Sequence, residues 1–330
     1  MMKKLLLLVL LSFSFVGKEA EALSIDESFS QHESETIDFS KSVTKSKNMT
    51  RSGEQEIVID GEKWDQTIKD AYKEKYPEYE GEVKIFDIND DTKEIKFEDT
   101  VGEYENPLTR VRVSAPVTGN PNSSIGKVQL YYFLSNGKVK MASGTAFKVA
   151  NDRFATAGHV FYDKEHGYGW AGSGSILLGC KKSSTGGITT TALYGITQQI
   201  TNNDWIQTPL HDAWRSDFGH LKVRHYAGTA PANLKIQKNA PNSGYGMSYG
   251  YNGVVNQVTF SKSSGNMVST KQPKWFGWLY ESSDIQIVGG MSGGPVMNAS
   301  NEVIGINSNT GNGVSRFVKM QPRIADSFFK

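Results

Sequence analysis

Short apolar runs separated by Gly, Asn and Ser dominate the chain from about residue 101 onward. Residues 127–134, 144–149 and 303–306 are examples, and convincing helical periodicity is scarce in this region. Many short strands at regular spacing favour a β-sandwich or β-barrels over alternating strand and helix units. The 33 glycines concentrate after residue 143 and suit the turns that such a fold needs. We therefore expect an all-β fold.

The first 22 residues have the pattern of an export signal. Lys3 and Lys4 precede an apolar run over residues 5–16, and residues 20–22 (Ala-Glu-Ala) fit a small-x-small cleavage site. The apolar run is shorter than the roughly 20 residues that cross a bilayer, and no later run approaches that length. We expect a secreted, extracellular protein without stable membrane insertion; a membrane anchor or a buried helix is the alternative.

Cys180 is the only cysteine, so no disulfide can form within the chain. An exported protein without disulfides is more typical of Gram-positive bacteria than of eukaryotic secretion. Cys180 follows the apolar residues 176–178 at an expected strand end. This position favours a packing role over a catalytic thiol.

The formal net charge of +1 hides two segments of opposite charge. Residues 23–100 carry 21 acidic against 11 basic side chains, whereas residues 101–330 carry 12 acidic against 22 basic ones. Opposite charges on consecutive segments favour their association. We expect residues 1–22 to be a signal peptide, residues 23–100 an acidic propeptide that docks on the body and is later removed, and residues 101–330 the functional domain.

The acidic segment divides into two parts. Residues 23–55 are rich in Ser, Glu, Lys and Thr with few aromatic side chains, a composition that indicates disorder. Residues 56–98 are expected to form a small folded pro-domain; a solvated linker is the alternative. The supporting pattern consists of Trp64, Ile68, Ala71 and Tyr72 at helical spacing, and of residues 83–86 and 95–97 as short strands.

A glycine-rich stretch over residues 289–296 (Gly-Gly-Met-Ser-Gly-Gly-Pro-Val) has the features of a nucleophile loop. A serine hydroxyl becomes a good nucleophile when a base takes its proton and backbone N–H groups await the oxyanion. Glycine before Ser292 permits a tight turn, so that the amides of Gly290 and Ser292 can serve as those donors. Gly293 and Gly294 leave room for a bound peptide. An ordinary glycine-rich hairpin loop is the alternative.

His159 is the strongest candidate for the base. It ends an apolar β run over residues 154–158 and precedes a loop rich in Gly and Tyr, which places it at a rim that substrate can reach. His32 lies in the acidic segment. The other four histidines lack this small-residue approach: His166, His211, His220 and His225.

Asp217 opens an alternating apolar strand over residues 216–223. A carboxylate in that place can be buried, accept the imidazole N–H and fix its tautomer. Asp204 and Asp212 are competitors, although both lie in polar, loop-like surroundings. For Asp217 alone, a plain residue at a strand start is an equal alternative.

The order His159, Asp217, Ser292 is that of the chymotrypsin-like proteases, whereas other triads follow other orders. Together with residues 156–159 (Thr-Ala-Gly-His) and 290–295, it makes residues 101–325 resemble this family, and Gly250-Tyr251 and residues 301–306 extend the likeness. Within the family, the chain is most similar to the glutamyl endopeptidases of staphylococci and bacilli and to their exfoliative-toxin relatives. The resemblance implies two perpendicular six-stranded antiparallel β-barrels, with His159 and Asp217 from the first and Ser292 from the second.

The resemblance also implies a zymogen. Mature enzymes of the family often begin with a small apolar residue before a glycine and a polar turn, and residues 101–103 (Val-Gly-Glu) are the nearest match. A cut between Thr100 and Val101 is therefore expected, at the charge boundary; a cut between Arg110 and Val111 is the alternative. Met291 replaces the aspartate that trypsin-like enzymes carry before the serine, so activation cannot use that ion pair.

The substrate pocket differs from that of the glutamyl enzymes. They read an acidic side chain with a histidine on the strand after the serine and with a Ser or Thr five residues before it, and these positions here hold Asn307 and Ile287. Ile287, Asn307, Ser308 and Asn309 form the expected pocket; a surface turn is the alternative for the last three. Because these residues supply no charge, we expect strict preference for glutamate to be lost or altered.

These features predict a secreted serine endopeptidase with the catalytic residues His159, Asp217 and Ser292, acting as a monomer on protein or peptide substrates and binding its own propeptide. No metal or cofactor is expected, and no nucleotide loop, metal cluster or nucleic-acid motif is present in the sequence. Two alternatives stay open. One is a toxin of the exfoliative type with narrow proteolysis, and the other is a secreted binding protein on a catalytically silent protease scaffold.

Overall fold

The computed structural model describes residues 28–49, 55–90, 92–96, 112–182, 187–252, 258–270 and 278–329. Two closed six-stranded antiparallel β-barrels form the body of the protein, which confirms the expected all-β architecture. No helix in the described ranges is long and apolar enough to cross a membrane. The expected signal peptide and both expected cut sites lie outside the described residues.

Residues 28–96 are here called the N-terminal segment, and its described part contains four strands, one α-helix and a 3-10 turn at Phe39–Ser42. The elements are β1 (Phe29–Glu33), β2 (Val43–Met49), β3 (Gln55–Ile59), α1 (Gly61–Lys75) and β4 (Lys84–Asp87).

Residues 112–228 contain the first barrel and its connections. The strands are β5 (Arg112–Ser114), β6 (Ile125–Phe133), β7 (Lys138–Ala150), β8 (Arg153–Thr156), β9 (Tyr162–Asp163), β10 (Gly169–Trp170), β11 (Ser173–Leu178), β12 (Lys181–Lys182), β13 (Ile188–Thr190), β14 (Ala192–Asn202) and β15 (Gly219–Gly228). The helices are α2 (Gly158–Phe161), α3 (Asn203–Gln207) and α4 (Leu210–Ala213), with 3-10 turns at Asn122–Ser124 and Trp214–Ser216.

Residues 235–329 contain the second barrel. The elements are β16 (Lys235–Ile236), β17 (Ser243–Tyr251), β18 (Phe260–Ser269), β19 (Leu279–Ser282), β20 (Pro295–Met297), β21 (Glu302–Gly311), β22 (Val314–Lys319) and α5 (Pro322–Ser327).

The first barrel runs in the order β14-β11-β6-β7-β8-β15 and closes where β15 pairs with β14. The second runs β21-β20-β17-β18-β19-β22 and closes where β22 pairs with β21. Strand β6 is buried along its whole length. One face of a barrel strand points into the barrel, so burial of the other face requires a cover. Here β17 of the second barrel and the N-terminal segment both contact β6.

The N-terminal segment is built onto the first barrel. Strand β1 pairs antiparallel with β14, β4 pairs parallel with β7, and β3 pairs antiparallel with β13. Helix α1 begins after Asp60, whose carboxylate accepts a hydrogen bond from the amide of Lys63. Trp64, Ile68 and Tyr72 form its buried face, as their spacing predicts.

Two expectations for the N-terminal segment need correction. Disorder over residues 23–55 is wrong for residues 28–49, which form β1, the 3-10 turn and β2. Their polar composition conceals a fold because β1 finds its partner far along the chain, with His32 opposite Gln199. The expected strand over residues 95–97 is reduced to a single bridge between Glu94 and Phe86, and residue 97 lies outside the described ranges.

Candidate active site

His159 lies in the one-turn helix α2, directly after β8. Gly158 allows a close approach there, because a Cβ at this position would lie 3.0 Å from both Thr201 Oγ1 and Trp205 Cδ1. The imidazole ring is flanked by Trp205 and Trp214, at centroid distances of 6.3 and 6.0 Å. Its side chain keeps 27% of its surface exposed, so the ring is supported by packing and remains accessible.

Asp217 lies between the Trp214–Ser216 turn and β15 and is fully buried. Its Oδ2 atom is 2.8 Å from His159 Nδ1, and its Oδ1 atom accepts a hydrogen bond of 2.8 Å from the His159 backbone amide. Ser308 Oγ donates a third hydrogen bond, of 2.6 Å, to Oδ2. Three donors therefore hold this carboxylate against His159, which is far more than a residue at a plain strand start requires.

The pKa of His159 reflects two opposing effects. Burial alone would lower it, but the charge of Asp217 and the hydrogen bond to that carboxylate, with a smaller contribution from Glu165, raise the pKa above its ordinary value. A neighbouring anion stabilises the imidazolium form. This is the electrostatic setting that a general base needs when it accepts a proton from a hydroxyl.

Asp204, the main competitor of Asp217, is engaged elsewhere. Its carboxylate accepts hydrogen bonds from Thr208 Oγ1 at 2.7 Å and Arg215 Nη2 at 3.0 Å, and also from Ser216 Oγ. It therefore fixes the turn that precedes Asp217. Asp212, the second competitor, has an oxygen 3.3 Å from the exposed His211.

Ser292 is held in a loop between β19 and β20. Gly290 and Gly293 have φ values of 88° and 81°, a left-handed conformation that favours glycine. A Cβ on Gly293 would lie 2.0 Å from Thr156 Oγ1, and one on Gly294 would lie 2.0 Å from the carbonyl oxygen of Tyr249. The glycines are thus required by close packing against both barrels.

The backbone of the serine loop is anchored to the first barrel by Thr145. The amide of Thr145 donates to the carbonyl of Ser292 at 2.8 Å, and its hydroxyl donates to the carbonyl of Gly290 at 2.7 Å. Within the described part of the chain, the amides of Gly290 and Ser292 donate no hydrogen bond. Both N–H groups are therefore available as oxyanion donors.

His159 and Ser292 meet in one cleft of about 300 Å³, which Gly290 also lines. Ser292 is half-buried, and its Oγ atom lies 3.5 Å from the carbonyl oxygen of Ser308. The three residues selected from the sequence are thus assembled: Asp217 bonds His159 directly, and Ser292 faces the same cleft from the second barrel. Such an arrangement can carry out nucleophilic acyl transfer.

Residues 144–306 match the family model of the trypsin-like peptidase domain. Over these residues, just under half of the chain, the protein is similar to that domain. Comparison with curated protein sequences gives no match.

Solved structures extend the likeness beyond the matched residues. A Glu endopeptidase in complex with MPD has a TM-score of 0.53 and 17% identity, over 67% of this chain and 95% of that one. The protease Anisep from Arthrobacter nicotinovorans has a TM-score of 0.50 and 15% identity, over 66% and 97%. At such identities the likeness establishes the chymotrypsin-like fold. The expected resemblance is confirmed.

Asn307 was expected to line the substrate pocket, but the structure places it elsewhere. It is fully buried, and its Nδ2 donates to the carbonyls of Met291 at 2.9 Å and Tyr249 at 3.0 Å. Its Oδ1 accepts from Ser248 Oγ at 2.8 Å. Because all of these bonds point into the protein, Asn307 braces the serine loop, and its assignment to substrate contact is wrong.

Ser308 was also expected in the substrate pocket and lies elsewhere. It is buried, and its hydroxyl donates to Asp217 instead of facing a pocket. It is therefore the link that joins the second barrel to the carboxylate of the first. Sequence reasoning missed this contact, although Ser308 immediately follows the buried strand residues 303–307.

Ile287 and Asn309 remain candidates for substrate contact. Ile287 is largely buried, and its amide is 3.4 Å from Ser315 Oγ. Asn309 is half-buried and accepts a hydrogen bond of 3.3 Å from Arg316 Nη1. Arg316 is its cross-strand partner and also bonds Glu281. Sequence reasoning missed Arg316 because the register of β21 against β22 contains an irregularity.

The domain shows no cluster of three or more His, Cys, Asp or Glu side chains that could hold a metal ion, among the residues described. Cys180 is buried, and its amide donates to the hydroxyl of Tyr251 on β17 at 3.1 Å. Burial raises the pKa of the Cys180 thiol to about 12. A thiol in this state is not nucleophilic at neutral pH, in line with the expected packing role.

Proposed function

We propose that this protein is a secreted serine endopeptidase, made as a zymogen, with Ser292 as nucleophile, His159 as general base and Asp217 as the residue that orients it. One observation carries the proposal. The buried carboxylate of Asp217 binds both the ring and the backbone amide of His159, which lines the same cleft as Ser292. A basic nitrogen oriented in this way activates a serine hydroxyl.

The reaction begins when His159 removes the proton from Ser292 as its oxygen attacks the peptide carbonyl. The negative charge that develops on the carbonyl oxygen is bound by the amides of Gly290 and Ser292. Asp217, held by Ser308, stabilises the imidazolium that forms. His159 then gives the proton to the leaving amine, and water resolves the acyl-enzyme by the same steps.

The serine loop is positioned before substrate binds. Thr145 holds its two carbonyls from the first barrel, and Asn307 holds the carbonyl of Met291 from within the second. Donors fixed in advance cost no reorganisation during the reaction. This pre-organisation supports Gly290 and Ser292 as the oxyanion hole.

We expect the specificity to differ from strict cleavage after glutamate. Asn307, which occupies the position of the specificity histidine of glutamyl enzymes, has its amide group engaged by backbone and Ser248. Arg316, which donates a hydrogen bond to Asn309, is paired with Glu281. A carboxylate in the pocket would thus have to compete with an existing ion pair. Profiling on a peptide library checks this, and cleavage almost only after Glu would contradict it.

A fluorophosphonate probe tests the catalytic assignment directly. The processed protein is expected to be labelled at Ser292, and the Ser292→Ala variant is expected to remain unlabelled. Ser300→Ala is a matched control on an exposed turn of the same barrel and should label like the wild type. Absence of labelling in the processed wild type, or labelling that persists in Ser292→Ala, would refute the proposal.

A further inference from the structure

We propose that the N-terminal segment is a permanent part of the enzyme, which completes the first barrel and forms one wall of the substrate cleft. A cut between residues 97 and 111 then yields two chains that stay together. The inference rests on the proposed function for the meaning of the cleft. It replaces the expectation that the segment is removed after cleavage.

The segment completes strands of the first barrel along their open edges. On one edge of β14, β11 covers residues 192–195, and β1 continues the same sheet over residues 198–202. On β7, β8 pairs near the C-terminal end, and β4 covers residues 138–141. Removal of the segment would leave these backbone groups unpaired, and unpaired strand edges promote aggregation.

The segment also contributes side chains to a common core. Phe39 and Trp64 are fully buried and stack with ring centroids 4.0 Å apart. Trp64 Nε1 donates to the hydroxyl of Tyr131 on β6 at 2.8 Å. The hydroxyl of Tyr72 donates to the carbonyl of Leu134 at 2.7 Å and accepts from the amide of Gly137 at 2.8 Å.

These contacts differ from a charge-driven docking. Stacked aromatic rings, strand pairing and buried hydrogen bonds are little affected by salt, whereas surface ion pairs are screened by it. The pair Lys181–Glu56 also joins body and segment, although the Glu56 side chain is largely buried. High salt therefore separates the two modes of association.

The wall of the cleft is the turn at residues 87–89, which follows β4. It lines the same cleft as His159, Gly290 and Ser292. Lys140 Nζ donates to the carbonyls of Asp87 at 2.9 Å and Asp90 at 3.2 Å, and the amide of Ile88 donates to the carbonyl of Met141. The turn is thus tied to β7, whose next residues also line the cleft.

The turn bounds the cleft and does not fill it. The space of about 300 Å³ that remains beside Ser292 is at the lower end of the range for ligand pockets. Ser292 is half-buried, and the side chain of His159 keeps part of its surface exposed. A peptide side chain next to the scissile bond would therefore contact the turn.

Retention is tested on the full chain without its signal, with the recognition site of a sequence-specific protease in place of residues 100–105. After the cut, the protein is passed over a size-exclusion column in 1 M NaCl, and fractions are analysed on a denaturing gel. We expect both fragments to co-elute. A body that elutes alone as a folded, probe-reactive species would overturn the inference.

Two variants of α1 show which contacts retain the fragment. Trp64→Ala is expected to release at least half of the fragment after the cut, because it removes the buried ring and the bond to Tyr131. Glu74→Ala, at an exposed position on the same helix, is expected to release none. Equal release from both variants would contradict retention through the core.

The wall is tested by adding bulk to the turn. Asn89→Trp is expected to lower kcat/KM at least tenfold for peptides with large side chains next to the scissile bond, relative to the rate of fluorophosphonate labelling. Lys93→Trp, an exposed position in the same connection, is the control. An unchanged ratio in Asn89→Trp would overturn the wall. Failure of every version to label would instead refute the proposed function itself.

Discussion

The two barrels hold their halves of the proposed catalytic site by different means. In the first barrel, a charged group positions the site: the buried carboxylate of Asp217 binds the ring and the backbone amide of His159. In the second barrel, neutral groups position the site: Asn307, together with Thr145 from the first barrel, holds the backbone around Ser292 by hydrogen bonds. The first half is therefore electrostatically tuned, and the second is braced by hydrogen bonds and close packing.

This difference separates the consequences of mutation. A charge at the first half can be removed without a change in shape, so that activity falls while the fold persists. In the second half, the side chain that holds the serine loop is also part of the core, so its loss affects folding and catalysis together. Measurements of activity and stability on matched variants can test this contrast.

Asp217→Asn is expected to have the largest effect, a loss of about 10⁴-fold in kcat with little change in Tm. The amide keeps the shape of the carboxylate but stabilises the wrong tautomer of His159, and in chymotrypsin-like triads this change costs about that factor. Steady-state assays on a peptide substrate and thermal unfolding together measure it. A loss below tenfold would show that His159 does not depend on this charge.

The wild type and Asp217→Asn are also expected to differ in the pH dependence of kcat/KM. His159 must be neutral to act as base, and its pKa is raised by Asp217, so kcat/KM of the wild type falls as the pH drops through a midpoint above about 6.5. In Asp217→Asn the attraction is gone, and the acid limb moves to lower pH. A wild-type midpoint below 6 would contradict the direction.

Asn307→Ala is expected to lower the free energy of unfolding by about 3 kcal/mol, in addition to reducing kcat. Two buried carbonyls, of Met291 and Tyr249, lose their donor, and a small cavity forms. Ser248→Ala, which removes one of the bonds to Asn307, is expected to cost about 1 kcal/mol. Denaturant unfolding compares them. If Asn307→Ala lost activity at unchanged stability, the contrast between the barrels would fail.

His220 makes the stability of the protein sensitive to acid. It is buried on β15, and burial, with the charges of Arg153 and Lys222, lowers its pKa to about 3. The unfolded chain then binds the proton that the folded one excludes, so stability falls as the pH drops from about 6.5 toward 3. Strand β15 belongs to the first barrel, so this effect acts there.

From pH 7 to pH 5, His220 is expected to remove about 2 kcal/mol from the free energy of unfolding. Over the same range, the free energy of unfolding of His220→Leu should fall by about 2 kcal/mol less than that of the wild type. His211→Leu, at an exposed site, should behave like the wild type. Denaturant titrations at the two pH values measure the difference. An identical pH dependence in His220→Leu and the wild type would contradict the assignment.

Ser308→Ala is expected to have the smallest effect, a reduction of kcat of about tenfold. It removes one of three donors to Asp217, and a hydrogen bond to a charged group is worth about 1.5 kcal/mol or more. Steady-state assays beside Ser315→Ala, a buried serine of β22 without a bond to the triad, test it. A greater loss than that of Asp217→Asn would show that Ser308 has a separate role.

The sequence alone indicates an all-β fold and the candidate catalytic residues, whereas the two barrels follow only from the resemblance to the chymotrypsin-like proteases. His159 follows a small-residue strand, Ser292 sits among glycines, and the order with Asp217 is distinctive. Asn307 and Ser308 were misplaced because their side-chain directions depend on how β21 pairs with its neighbours, including an irregularity between Asn307 and Asn309. Spacing from Ser292 carries no information on that register.

The fold of the N-terminal segment could not be predicted from the sequence for a related reason. Residues 28–49 contain few aromatic side chains, so their composition favours disorder. Their stability comes from strands and rings elsewhere, such as Gln199 opposite His32 and Trp64 against Phe39. Whether a polar stretch pairs with a distant strand edge depends on the whole fold, which local composition does not record.

The solitary thiol of Cys180 gives the molecule a built-in reporter. It lies where the two barrels touch, with its amide bound to Tyr251, and its pKa of about 12 protects it from alkylation at neutral pH. A maleimide can reach it only when that joint opens. The rate of alkylation therefore measures how often the contact between Cys180 and β17 opens.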